Sequence, residues 1–308
     1  QGIRPIAKRS EVEEEIFTSQ GEFGPGSIFE IQHSSNKPGD WEYGFAAGAI
    51  TNPTEGNFNV QYFGMREFVG STYATGWGFC PVTNDLVDFM AGDPRFEHTI
   101  IDGNVLKAQG DSYDEGYQNT DYFIRKYAPI DANKANDGIV PLGWGTNERV
   151  IRLADVYLMA AEAIVRAGGS SETAREYINE VRNRVGLGDI NTSTSGAILL
   201  DAIYKERRLE LATEGHRFFD LVRTGRAVAE LRPTFISSFH NSLPVSRFKP
   251  YHFPSNLSQS DFFRPSLRCK PHVPKNTPRL VTVASILITA PPFATYSQTR
   301  PTLAGPST

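Results

Sequence analysis

From Glu148 onward the apolar residues recur at helical period, and this repeat limits the later part of the chain to paired helices. Val150, Leu153, Ala154, Tyr157, Leu158, Ala161, Ile164 and Val165 line one broad face, and Gly168 and Gly169 supply a C-terminal stop. A second helix follows at once. Ser170 or Ser171 can cap it, and Ala174, Tyr177, Ile178, Val181 and Val185 repeat along it before Gly186. The two predict an αα-hairpin of about 38 residues, close to the tetratricopeptide unit of about 34, with alanines small enough to let the helices approach. A second hairpin is predicted from Ser195 to Thr213 and from His216 to about Leu231, with Gly215 between.

The segment 1–147 reads differently. It is rich in glycine and aromatics, with short strand-like stretches at Ser27–Gln32 and Tyr122–Tyr127 among Gly, Asn, Asp and Pro turn signals. One helix is predicted from Thr83 to Ala91, where Leu86, Val87 and Met90 fall at helical spacing before Gly92. The fold class is therefore mainly α: tetratricopeptide-like helical hairpins over 148–232 beside a loop-rich, irregular region over 1–147.

Residues 233–308 are a third kind of sequence. They carry eight Lys and Arg against the single acid Asp261, and 12 of the 20 prolines. So many prolines disfavour long helices and central strands. A basic interaction arm, a Pro-rich linker and translation out of frame compete as explanations, and the last is favoured, which predicts a poorly ordered tail. The chain begins at Gln1 with no lipid-attachment Cys nearby, so it reads as a processed or incomplete product.

A net charge of -4 and the want of a basic patch argue against nucleic acid as a partner. The apolar run Leu280–Ala290 is too short to cross a bilayer. Cys80 and Cys269 form no CxxC pattern and read as free thiols. Asp111, Asp114 and Glu115 before Gly116 lack the EF-hand spacing, and His33, His98 and His216 show no HExxH pattern, so no metal is expected. No phosphate-binding glycine loop and no GxSxG elbow occurs, so no cofactor is expected either.

The most charged helix places Glu206, Glu210 and Glu214 on one face. Such a stripe repels itself unless cations sit nearby, and Arg207, Arg217 and Arg223 are the expected partners. Successive turns of one helix do not oppose two carboxyls across a sugar ring, so a glycoside hydrolase reading is rejected and the chain is not expected to be an enzyme.

Three stretches together resemble the SusD/RagB family: IRLADVYLMAAEA at 151–163, AREYINEVRNR at 174–184 and KERRLELATEGHRFFDLVR at 205–223. SIFEIQ at 27–32, PVTNDL at 81–86 and GDPR at 92–95 extend the likeness, which covers about 27–231. The resemblance implies a SusD-like α/α superhelix and a surface-exposed outer-membrane lipoprotein. Its implied role is to capture oligosaccharides or other nutrients for a SusC-like TonB-dependent outer-membrane transporter. A tetratricopeptide-like scaffold for another protein is the alternative.

A sugar receptor needs aromatic faces for the C–H surfaces of the rings and fixed polar groups for the hydroxyls. The loop from Asn36 to Phe45 offers Trp41 as first platform, with Tyr43 and Asp40 beside it, in a region from which the family can contribute stacking residues. Trp77 and Phe79 follow in a glycine-flanked segment, and Trp144 lies between Gly143 and Gly145. Arg66 and Asn84 are candidate polar partners.

Overall fold

A computed structural model describes residues 16–36, 55–136 and 138–231. All of them belong to one unit, Gln1–Val245, and the tail from 233 lies outside the described residues. Helices predominate and strands are short.

The residues after Glu148 begin as a strand, which corrects the helical reading of that point. β1 (Ser27–Ile31) pairs antiparallel with β6 (Glu148–Arg152), setting Phe29 opposite Ile151. Val150 stands in helical register with Leu153, yet it is a β-branched residue inside the strand that pairs with β1, and it remains exposed. The helix starts only at Leu153, whose N–H donates to the carbonyl of Gly26.

Three helices then build the main core: α5 (Leu153–Arg166), α6 (Ser171–Arg184) and α7 (Gly196–Glu210). Leu153, Ala154, Tyr157, Leu158 and Ala161 of α5 meet Ala174, Ile178 and Val181 of α6 and Leu199 and Ile203 of α7. Ala154, Ala161 and Ala174 are almost wholly buried, as a close helix approach requires. The turn between α5 and α6 uses its glycines as expected. Gly168 takes φ +71°, its N–H donates to Val165, and the Gly169 N–H reaches back to Ile164, which is a Schellman ending. Ser170 caps α6 by accepting from the Thr173 N–H at 3.2 Å.

The last predicted helix is shorter than expected. α8 (Arg217–Arg223) ends where Gly225 adopts φ +73° and the Arg226 N–H bonds back to Leu221, and helical structure resumes only over 227–231.

The loop-rich part carries α1 (Val60–Phe63), α2 (Asn84–Met90), α3 (Phe96–Thr99) and α4 (Gly103–Gln109). Two further strand pairs join it together: β2 (Arg66–Val69) with β4 (Ser112–Asp114), and β3 (Ile100–Asp102) with β5 (Tyr122–Ile124). Met65, Phe68, Ile101 and Phe123 form one small core, while Val82, Met90, Ile100 and Ile124 form another that includes Ala212 from beyond α7.

Between the two parts lies a buried lattice of charges. Glu206 accepts from Arg95 at 2.7 Å and Arg182 at 3.0 Å. Glu210 accepts from Arg95, Arg152 and Arg184, and Glu214 accepts from Lys126 at 2.6 Å and Arg152 at 2.7 Å. The cations thus come from α6, from β6 and from loops more than 80 residues upstream. Phe17 covers one side, its ring within 6 Å of the Lys126, Arg149 and Arg152 cations.

The stripe does have cations, but they are not Arg207, Arg217 or Arg223. Arg207 points the other way, to Asp155 and Asp220; Arg223 binds Glu162 and Asp220; Arg217 binds Glu230. Arg207 sits about 100° around the helix from Glu206, so it cannot share that face.

Burial alone would raise the pKa of Glu210, but the cations of Arg184, Arg152, Arg95 and Lys126 overcome it and hold the carboxyl below the ordinary range. Burial likewise pushes the Glu214 pKa up, but Arg152 and Lys126 outweigh it and bring the pKa below its ordinary value. Removing one charge strands its partners in a dry site. Glu210→Gln should therefore destabilise the fold by about 3–5 kcal/mol in urea unfolding, whereas a near-neutral result would mean the lattice is solvated.

The pH dependence follows from the same shifts. Glu210 and Glu214 bind protons more readily unfolded than folded, so their contribution is complete above the ordinary value of 4.5 and is lost as pH falls below it. Melting temperature should hold from pH 8 to 6 and then fall below about pH 4.5, less steeply in Glu210→Gln.

Candidate functional site

Four aromatic rings gather where α1 meets the segment 76–79. Main-chain bonds fix the junction: the N–H groups of Gly76, Trp77, Gly78 and Phe79 donate to Met65, Gln61, Gly64 and Tyr62. Gly64 and Gly76 touch backbone to backbone, and a Cβ on Gly76 would lie 2.3 Å from the Gly64 Cα. Gly78 takes φ +64°. These glycines bring two strands of chain together, so their use is structural contact rather than approach to a ligand.

The junction packs Phe58, Tyr62, Trp77 and Phe79 into one group. Centroids are 5.0 Å apart for Phe58 and Tyr62, 5.3 Å for Phe58 and Trp77, and 5.4 Å for both Tyr62–Trp77 and Trp77–Phe79. Three of the rings are half-buried, while Phe79 is 60% exposed. Arg66 flanks the group, because a Cβ on Gly78 would stand 3.5 Å from the Arg66 Cβ. Its side chain is exposed and makes no ion pair among the described residues. An apolar face beside an uncommitted guanidinium is the combination that a sugar ring and its hydroxyls require.

Sequence reasoning placed Trp77, Phe79 and Arg66 as candidates, and the structure brings these three together. Trp144 does not join them as a platform. It is 0% exposed, and its indole N–H donates to Gln61 Oε1 at 3.0 Å while Gln61 Nε2 donates to the Thr75 carbonyl. With no free face, Trp144 supports the ring group from below instead of receiving a ligand. Asn84 is exposed at the start of α2, beside the Asp85–Arg208 pair, and no hydrogen bond among the described residues links it to the rings. Asp40, Trp41 and Tyr43 lie outside the described residues. Phe58 and Tyr62 were missed; their i, i+4 spacing within NFNVQYF was the available signal.

The chemistry of the charged groups does not suggest bond breaking. The carboxyls with a shifted pKa among the described residues, Asp93, Asp121, Glu162, Glu210 and Glu214, all have it lowered, whereas a glycosidase acid must have its pKa raised. Among the described residues no group of three or more His, Cys, Asp or Glu is arranged to hold a metal ion, and no helix is long and apolar enough to cross a membrane. Cys80 is a free, half-buried thiol, and burial pushes its pKa up.

The sequence matches the SusD family over residues 25–237, and the chain belongs to that family, whose members are binding proteins rather than enzymes. It is 39% identical over 258 residues to SusD-like protein P25 of Formosa agariphila, covering 77% of this chain and 46% of that one. Among solved structures, a laminarin binding SusD-like protein matches with TM-score 0.62 and 38% identity over 76% of this chain and 48% of that one. Surface glycan-binding protein A from Bacteroides thetaiotaomicron, in complex with laminarihexaose, matches with TM-score 0.58 and 32% identity over 70% and 46%. The chain spans less than half the length of each of these relatives. The helical, SusD-like fold is thereby established.

Gly76→Ala should force the junction open, costing about 1–3 kcal/mol and shifting Trp77 fluorescence to the red. Gly26→Ala is the control, since a Cβ there meets nothing within 4 Å. Equal unfolding midpoints for the two variants would contradict the close contact at Gly64.

Proposed function

We propose that this chain is the glycan-binding part of a cell-surface SusD-like receptor that takes laminarin-type glucan oligosaccharides. In this reading it holds the glucan for transfer to a SusC-type TonB-dependent outer-membrane transporter, with the whole receptor anchored as an outer-membrane lipoprotein. The observation that carries the reading is the ring group with exposed Phe79 beside the uncommitted Arg66. Two relatives whose names concern laminarin support the choice of glucan. Laminarin is a β-1,3-linked glucose polymer, and each of its rings has an apolar C–H face that an aromatic side chain can cover.

Phe79 would supply the stacking face and Arg66 would pair with ring hydroxyls. Trp41 and Tyr43, with Asp40 as polar partner, are further contacts in the same proposal, and Asn84 is a more distant one. Transfer to a transporter requires release, so moderate affinity from a few stacked rings suits the role better than an enclosed pocket.

Isothermal titration of the full chain with laminarihexaose should give saturable binding, and Phe79→Ala should weaken it roughly tenfold or more. Arg66→Ala should weaken it less, since an exposed polar contact exchanges with water. Absence of heat with laminarihexaose and with every other glucan offered would end this reading.

A further inference from the structure

We propose that Tyr117 is a second aromatic face of the glucan site, and that Asp121 is the positioning residue that holds its loop in place. The proposal rests on the reading of Phe79 and Arg66 as glucan contacts.

Three separate contacts bring the loop to that site. Arg66 and Asp114 are paired positions across β2 and β4, so the end of β4 lies beside Arg66. Two residues later, a Cβ on Gly116 would lie 3.2 Å from the Gly78 carbonyl oxygen. Gly78 itself lies against Arg66. Phe79 follows Gly78 and Tyr117 follows Gly116, so the two aromatic residues each adjoin one backbone contact that lies beside Arg66. Tyr117 is 73% exposed, more than Phe79, and makes no hydrogen bond or ring contact among the described residues.

A large ring left in water at a loop tip calls for a reason, and the loop beneath it is unusually constrained. Gln118 and Asp121 both take positive φ, +56° and +61°, a left-handed conformation that non-glycine residues adopt only at a cost. Asp121 Oδ1 accepts from Lys107 Nζ at 2.8 Å, Tyr113 Oη at 2.7 Å and Asn119 Nδ2 at 2.8 Å. Its carbonyl accepts from the Gly103 N–H at 2.7 Å. Gly103 must be glycine for this, because a Cβ there would stand 2.1 Å from Tyr113 Oη. The hydrogen bonds from Lys107, Asn119 and Tyr113 hold the Asp121 carboxyl down to about 2, so it stays ionised and keeps its donors. Next to it, the Thr120 hydroxyl donates to the Val82 carbonyl at 2.6 Å, tying the loop to the segment that follows Phe79.

The arrangement fits a glucan chain better than a single sugar. One exposed ring can cover one pyranose face, whereas two exposed rings carried by adjoining segments can address neighbouring residues of an oligomer. Fixing the loop before binding reduces the ordering that the ligand must otherwise impose.

Titrations of the full chain with laminarihexaose test this. Tyr117→Ala should weaken binding roughly tenfold, and Tyr117→Phe should stay within about twofold of wild type, because the stacking face is kept. Asp121→Ala should weaken binding to a similar degree, and the double variant should bind no more weakly than either single one, because the clamp acts only through Tyr117. Lys107→Met, which removes one of the three donors from an exposed position, should give a smaller loss and guards against failure of Asp121→Ala to fold. Wild-type binding by Tyr117→Ala, with binding lost in Phe79→Ala, would overturn this inference and leave the glucan reading standing. A full additional loss in the double variant would overturn the positioning role of Asp121. A wild-type chain that ignores laminarihexaose overturns both the reading and this inference.

Discussion

Glu206, Glu210 and Glu214 are out of reach of water, and everything else in the fold is arranged so that each meets a cation. Isolated carboxylates in such a place would be intolerable, and Coulomb attraction repays their desolvation only when all the partners arrive with good geometry. Those partners come from four places in the chain: Arg95 ahead of α3, Lys126 after β5, Arg152 at the end of β6, and Arg182 with Arg184 on α6. A shift of any one element strands a charge. The lattice therefore fixes how the loop-rich part meets the helices, a task that apolar contact performs with less discrimination. A second chain of charges, from Asp155 through Arg207, Asp220 and Arg223 to Glu162, fastens α8 to α5 and α7 on the opposite side.

Local signals were legible in the sequence where the structure depends on neighbours a few residues apart. The faces of α5 and α6, the stop at Gly168 and Gly169 and the cap at Ser170 are of this kind, since period, glycine and hydroxyl act within one turn. The carboxylate stripe was legible as a demand for cations, but its suppliers were not. Arg95 is 111 residues from Glu206, and nothing in its local sequence marks it as the partner of that carboxylate. Glu148–Arg152 misled for the same reason: its strand partner lies at Ser27–Ile31, so pairing over about 120 residues overrides a helical pattern.

The site shows the same division. Trp77 and Phe79 announce themselves by sitting among glycines, but the glycines turn out to serve the contact between Gly64 and Gly76. Trp144 carries the same glycine-flanked signature and has the opposite fate, because Gln61 accepts its indole proton inside the core. A tryptophan between glycines is thus no evidence of exposure. For Trp144 the buried acceptor is the Gln61 side chain, 83 residues away in the sequence, so only the folded chain reveals it. Phe58 and Tyr62 escaped notice because a single helical turn gives too short a period to stand out.

The lattice and the ring group are mechanically related, and this relation explains why a binding surface can stand on a part of the chain with so little regular structure. α1 is a single turn and could not hold Tyr62 in place unaided. Its position is set by Gln61, which links the buried Trp144 on one side to Thr75 on the other, and by the four main-chain bonds to 76–79. That junction is continuous through Met65 with the core of Ile101 and Phe123. β3 and β5, which carry those two residues, lead directly to Thr99 and Lys126 at the edge of the charge lattice. Rigidity therefore reaches the exposed rings by way of short paired strands rather than long helices. Rings held in this way need little further ordering when anything packs against them.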